Sequence, residues 1–158
     1  MVGEAGSQQN ALRGELYNYL HVRLSEANEQ AMYFEIIAIC DMLITDRLEA
    51  FTQYLLHYED EQYQVDSIGL ALQYLGTAVK DNQPALANDD DYKGIYKRVE
   101  DFAKMRNEVM HGFVLVKNVA SDVSLKERLE FAEYTAEMGN TLVRDVSAWV
   151  SKNTKNKE

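Results

Sequence analysis

Hydrophobic residues recur along most of this chain at alternating steps of three and four positions, the spacing that places side chains on one face of an α-helix. The pattern predicts five helices, which span approximately residues 7–26, 29–58, 67–79, 90–112 and 124–150. Polar segments separate them, and we expect residues 151–158 to be a disordered polar tail. The chain is therefore predicted to be all-α, with residues 1–150 forming a single antiparallel helical bundle.

Short polar motifs mark two of the predicted helix starts. Asp66 or Ser67 can cap the third helix, because their side-chain oxygens can accept hydrogen bonds from backbone N–H groups of the first turn. Ser124 and Glu127 have the spacing of a capping box at the start of the last helix. These motifs support the helix boundaries that the hydrophobic pattern indicates.

The predicted helices can pack in a simple arrangement. The second and fourth have the clearest apolar seams, so we expect these two to pack against each other with the remaining helices around them. Gly69 and Gly76 in the third helix would permit a close approach of a neighbouring helix. The apolar, β-branched connector at 113–123 could be extended or could cover a core edge, and its pattern does not decide between these.

Each of the two strongest seams contains one charged residue where packing favours an aliphatic one. Asp41 interrupts the second helix and Arg106 interrupts the fourth. Burying a lone charge costs several kcal/mol, so each should find an opposite charge, or face a cleft or an oligomer interface. One solution is that the two meet. If Arg106 is mainly structural, Arg106→Met should preserve or raise the melting temperature, because an apolar side chain fits the seam.

A histidine follows this arginine five positions later, which is a rotation of about 140° on an ideal helix. Arg106 and His111 therefore lie on different faces of one chain, but two copies of the helix packed across a twofold axis could bring them together. Asn107 lies four positions before His111, so its amide could hydrogen-bond the imidazole. Gly112 offers a helix stop that would leave the imidazole at a solvent-accessible terminus.

These residue types are suited to one kind of chemistry. A histidine with a pKa near neutrality can accept or donate a proton, and an arginine can stabilise the charge of a phosphorane-like transition state. Together Arg106 and His111 would suffice for metal-free cleavage of RNA, in which the neighbouring 2′-hydroxyl attacks the phosphate. A single Arg and a single His in a helix are, however, more often structural or solvated.

Composition limits the partners, the compartment and the cofactors that we expect for this protein. A net charge of −10 over 158 residues gives no general attraction to nucleic acid or to anionic membrane, although residues 92–117 contain six lysines and arginines against three acids. The single cysteine, Cys40, lies in an apolar run and predicts a reducing compartment. No signal peptide or apolar run of membrane-spanning length is apparent, so we expect a cytoplasmic protein without a membrane partner. We expect no cofactor, and three histidines without an HExxH motif predict no metal site.

The stretch "RNEVMH", Arg106 to His111, resembles the signature of the HEPN superfamily, in which an arginine followed by a polar residue such as Asn precedes a histidine by four to six intervening residues. HEPN domains are small all-α bundles, and the second helix resembles their early, acid-containing core helix. The resemblance covers roughly residues 30–150, and its specific part is six residues long.

The resemblance implies a metal-independent endoribonuclease that acts as a homodimer on RNA, with Arg106 at the scissile phosphate, His111 as general acid or base and Asn107 positioning them. Asp41, Asp46 and Glu49 are candidates for acidic support of the arginine.

Such domains commonly serve as toxins, neutralised by an antitoxin such as a minimal nucleotidyltransferase, or in defence against phage. The alternative is a non-catalytic HEPN-like module that binds a protein partner or a nucleotide. A helical dimer that serves only as a scaffold is a further, plainer possibility.

Overall fold

The computed structural model describes residues 2–56, 65–114 and 124–154, with side chains from residue 11 onwards except those of residues 113 and 114. All regular structure in these ranges is helical, which confirms the all-α prediction. The helices are α1 (Val2–Glu29), α2 (Tyr33–Leu55), α3 (Ile68–Asn82), α4 (Pro84–Ala87), α5 (Asp90–Val114) and α6 (Leu125–Thr154). None of the described helices is both long and apolar enough to cross a membrane.

Several helix boundaries differ from the predicted ones. The segment predicted as a loop before residue 90 contains the short helix α4, which begins with Pro84, a residue suited to the first helical position because it has no N–H to satisfy. Helix α6 continues through residues 151–154, which we expected to belong to the polar tail. The predicted end of the second helix at residue 58 and the connector from residue 115 to 123 lie outside the described residues.

The predicted caps form as expected. Ser67 Oγ accepts a hydrogen bond from Leu70 N at 3.3 Å and so caps α3. Ser124 N donates to Glu127 Oε2 at 2.7 Å, while Glu127 N donates to Ser124 Oγ at 3.2 Å, which completes the capping box of α6. The hydrogen bonds from Ser124 lower the pKa of the Glu127 carboxyl because they favour its charged form.

A tight turn between α1 and α2 forms without glycine. Ala31 takes the left-handed conformation with φ 52°, Met32 N donates to Ala27 O at 2.9 Å, and Ala31 N donates to Asn28 O at 3.2 Å. These bonds are those of a Schellman motif, which usually has glycine at the left-handed position. The turn folds α2 back along α1, and Arg13 contacts Asp46 near one end of the hairpin.

Helix α2 is the centre of the bundle, and its principal partner is α6 rather than α5. Phe51 packs edge-on against Trp149 at 4.9 Å between ring centroids, and Tyr54 donates to the carbonyl of Thr154. Residue numbers therefore rise together along both helices, so α2 and α6 run parallel, in contrast to the antiparallel arrangement expected for the bundle. The pairs α1–α2 and α5–α6 are antiparallel. The expected pairing of the second and fourth helices is wrong, because α6 packs extensively against both α2 and α5, which touch each other only slightly.

One glycine permits this arrangement. A Cβ at Gly139 of α6 would lie 2.9 Å from the Phe102 ring of α5 and 3.0 Å from Cys40 Cβ of α2. Three helices thus meet at a point where no side chain fits. Gly69, by contrast, has open space around it, and Gly76 has only ordinary contacts with tyrosine side chains, so the predicted role of these two in close packing is not seen.

Candidate active site

The two seam charges meet where α5 touches α2. Arg106 Nη2 donates to Asp41 Oδ2 at 2.6 Å, and the two side chains are 29% and 15% exposed. The expectation that each would find an opposite charge is therefore confirmed. The second carboxylate oxygen, Asp41 Oδ1, is buried and has no hydrogen-bond partner among the described residues. The aspartate therefore depends on the guanidinium for compensation of its charge.

Asn107 contacts the arginine and not the histidine. Arg106 Nη1 donates to Asn107 Oδ1 at 2.6 Å, so the side-chain oxygen that could have oriented His111 is occupied. The guanidinium is consequently held on one side by a carboxylate and on the other by an amide, and these two bonds use two of its five N–H donors. The predicted hydrogen bond from Asn107 to the imidazole is not found among the described side chains.

The other two proposed supporting acids serve a different arginine. Arg13 Nε donates to Asp46 Oδ1 at 2.5 Å, and Arg13 Nη2 lies 3.7 Å from Glu49 Oε2. Asp46 also accepts from Arg47 Nη2 at 2.7 Å. Asp46 lies five residues beyond Asp41, about 140° around α2, and so faces α1 instead of α5. Of the three acids, only Asp41 supports Arg106.

Burial has the largest influence on the pKa of the Glu49 carboxyl of this second cluster. It raises the pKa of the Glu49 carboxyl above its ordinary value; the positive charge of Arg13 opposes this rise, and the negative charge of Asp46 adds to it. The cluster joins α1 to α2 and accounts for both acids without a catalytic role.

His111 is exposed, in the last turns of α5. The predicted helix stop at Gly112 is wrong, because α5 continues to Val114 and Gly112 keeps a helical conformation with no positive φ. Arg128 of α6 donates a hydrogen bond to the carbonyl of Gly112. This bond pairs one of the last carbonyl groups of α5 with a cation near the negative end of the helix dipole.

The continuous helix has a consequence for catalysis. Because α5 is unbroken from Arg106 to His111, the two side chains diverge by about 140° within one chain. A helix end at Gly112 would have given the imidazole freedom to turn, but this end does not exist. This divergence favours a site that combines Arg106 of one chain with His111 of a second chain.

Two further nucleophilic or titratable candidates, Cys40 and His21, are unsuited to the site. Cys40 is fully buried, and burial, with a contribution from the charge of Asp41, raises the pKa of its thiol to about 12. His21 packs edge-on against Tyr17, and burial together with the charge of Arg47 lowers its pKa. His57 lies outside the described residues. No group of three or more potential metal-ligating side chains occurs in the described part of the chain.

Asn107 also lines a groove between α3 and α5, with a volume of about 450 Å³. Lys80 and Tyr96 belong to the same groove. Sequence reasoning did not connect these residues with the motif, since α3 and α5 are adjacent only in the tertiary structure. In the sequence, the groove could have been inferred only from the spacing of Tyr96, Lys104 and Asn107, which places these three residues on one face of α5.

Comparisons of this chain with protein-family models, with curated proteins and with solved structures found no match. The resemblance to HEPN domains thus depends on the six-residue motif and on the all-α architecture.

Proposed function

We propose that the protein is a metal-independent endoribonuclease of HEPN type that acts as a homodimer, as a toxin or a defence effector. The observation that carries this proposal is the way Arg106 is held. A carboxylate and an amide fix the guanidinium at the surface of the bundle, on the same helix as an exposed histidine. A purely structural ion pair would not need either Asn107 or His111.

The chemistry follows from these groups. The 2′-oxygen of a ribose attacks the adjacent phosphorus, and the bond from phosphorus to the 5′-oxygen of the next nucleotide breaks. His111 would take the proton from the 2′-hydroxyl or give one to the departing 5′-oxygen, and water would exchange the other proton. Arg106 would stabilise the charge that develops on the phosphoryl oxygens. The products are a 2′,3′-cyclic phosphate and a 5′-hydroxyl, and no metal is needed to balance the reaction.

The charge of the molecule bears on its partners. At −10 the chain is too acidic for strong general RNA binding, so contacts with RNA should be confined to the site. A basic partner could cover the acidic surface, and an antitoxin such as a minimal nucleotidyltransferase is the candidate that the HEPN resemblance implies.

The decisive variant is His111→Ala, because this side chain is exposed and its loss should leave the melting temperature unchanged. The protein would be incubated with RNA in EDTA, and the ends of the products analysed for cyclic phosphate. We expect a loss of cleavage of about 10²-fold or more, the usual contribution of a general acid or base. Glu108→Ala, an exposed neighbour on α5, is the matched control. Full cleavage by the His111→Ala protein would overturn the proposal.

A second candidate function is a non-catalytic module that binds a protein partner. The observation that favours it is an apolar face on α1, where Leu12, Leu16 and Tyr19 are 67%, 57% and 59% exposed. Co-purification from the native host, followed by a nuclease assay of the released protein, would separate the two functions. A stable complex without RNA cleavage under any condition would favour the binding module.

A further inference from the structure

The groove between α3 and α5 has the size and the composition of a ligand site. Its volume of about 450 Å³ is within the range usual for small-molecule sites, roughly 300–1,000 Å³. Gly69 and Gly76 form part of one wall, and at Gly69 the space that a side chain would occupy is open. The half-buried ring of Tyr96 lies in the opposite wall, 3.6 Å from the position that a Cβ of Gly76 would occupy.

The charge of this groove differs from that of the other described grooves. Lys80 and Lys104 outnumber its single acid, Glu100, whose carboxylate lies 3.2 Å from Lys104 Nζ, so Lys80 carries the excess positive charge. The groove between α1 and α2 is lined by four acids and one arginine, and the groove beside Trp149 by three acids and two cations. In an acidic protein, the α3–α5 groove is thus the one of these three whose lining carries a net positive charge. An anionic ligand would be favoured there and repelled elsewhere.

The groove is next to the proposed catalytic arginine, to which it is linked through Asn107. Asn107 lines the groove and accepts a hydrogen bond from Arg106 through its Oδ1. A phosphate bound by Arg106 would therefore lie at one end of the groove. The next nucleotide along the strand would meet an aromatic ring and two lysines.

We propose that the α3–α5 groove binds one nucleotide of single-stranded RNA next to the scissile phosphate, and this rests on the proposed ribonuclease function. Tyr96 supplies a surface for base stacking, and Lys80 and Lys104 contact the flanking phosphates. Single-stranded RNA fits better than a duplex, because a base can enter the groove only when it is unpaired.

Gly69→Leu tests the groove without disturbing the fold. A Cβ at Gly69 meets no atom within 4 Å, and leucine is a better helix former than glycine, so the variant should be at least as stable as the wild type. Its side chain would fill the groove. Gly14→Leu is the matched control, because Gly14 is an exposed helical glycine that lines none of the three grooves.

The probe is a fluorescein-labelled, fully 2′-O-methylated 12-nucleotide RNA, which has no free 2′-hydroxyl to attack, so that binding is measured by anisotropy independently of cleavage. We expect Gly69→Leu to weaken binding about ten-fold, the loss of one stacked base, and Gly14→Leu to leave it unchanged. In a plot of the logarithm of the association constant against the logarithm of the salt concentration, Lys80→Ala should reduce the magnitude of the slope by about 0.7. Lys126→Ala, on α6, should leave the slope unchanged.

The outcomes separate the two proposals. Unchanged RNA binding by the Gly69→Leu protein, or no RNA binding by the wild type, would overturn the proposal that the groove binds a nucleotide. If groove variants weaken binding while the wild type never cleaves unmodified RNA, the ribonuclease function fails and the RNA site stands. Cleavage that depends on His111, together with unchanged binding in Gly69→Leu, would support the ribonuclease function and exclude the groove as an RNA-binding site.

Discussion

At the scale of residues, the stability effect of replacing Arg106 depends on its ion-pair partner Asp41 as well as on the apolar seam around it. The seam around Arg106 alone favours an apolar replacement. In the structure, however, Asp41 is 15% exposed and one of its oxygens is already without a hydrogen-bond partner among the described residues. Removal of the guanidinium would leave that carboxylate buried and uncompensated.

We therefore expect Arg106→Met to destabilise the protein, contrary to the expectation from the seam. The loss should be about 2 kcal/mol, less than for a fully buried pair because the arginine is partly exposed, or roughly 6 °C in melting temperature for a chain of this size. Asp41→Leu combined with Arg106→Met should recover most of the loss, because neither charge remains. Thermal unfolding of the single and double variants would measure this, and a single variant as stable as the wild type would contradict it.

The position of α6 is decided, at the scale of elements, by a residue without a side chain. Gly139 allows this helix to approach both Cys40 and Phe102, which are fully buried. The helix then occupies the place beside α2 that the hydrophobic pattern assigned to α5. Helices α2, α5 and α6 thus meet at one contact that leaves no space for a side chain at residue 139.

Gly139→Ala should destabilise the bundle by about 1–3 kcal/mol through overpacking, although alanine itself favours a helix by about 1 kcal/mol. Gly94→Ala is the control, since Gly94 is helical and a Cβ there would meet no atom within 4 Å. That variant should be neutral or slightly stabilising. Chemical denaturation would measure both changes, and equal effects of the two substitutions would show that close packing at Gly139 is unimportant.

The proposed activity requires, at the scale of the whole molecule, a second copy of the chain. Because α5 is continuous through Gly112, Arg106 and His111 of one protomer point in different directions. A twofold arrangement would bring Arg106 of one protomer and His111 of the other to one phosphate. Residues 92–117 are the locally basic segment of this acidic chain, which favours contact of α5 with RNA.

Mixing two inactive variants tests this requirement directly. Arg106→Lys protein keeps His111, and His111→Ala protein keeps Arg106, so a mixed dimer contains one site with both residues intact. If subunits exchange freely, half of the dimers are mixed and activity should return to about a quarter of the wild-type value. Each variant alone serves as the control. Failure to recover activity in a verified mixed dimer would exclude a site shared in this way.

Much of the fold follows from local patterns that the chain carries in its sequence. Helix periodicity, the cap at Ser67 and the capping box at Ser124 act within a few residues, so they predicted the five long helices and several of their ends correctly. The turn at Ala31 and the continuation of α5 past Gly112 were not predicted, because alanine and glycine there do not behave as their usual turn preferences indicate. At Ala31 two backbone hydrogen bonds close the turn, and at Gly112 the hydrogen bond from Arg128 to its carbonyl supports the helical conformation.

By itself the sequence determined the helical class, the positions of the seams and the conflict that Asp41 and Arg106 create on them. It also contained the motif from Arg106 to His111. Only the tertiary structure decided that Asp41 rather than Asp46 or Glu49 supports the arginine, that Asn107 contacts Arg106, and that α3 forms a groove beside it. These outcomes depend on which helices become neighbours, and that is set by close packing between residues about a hundred positions apart, as at Cys40 and Gly139.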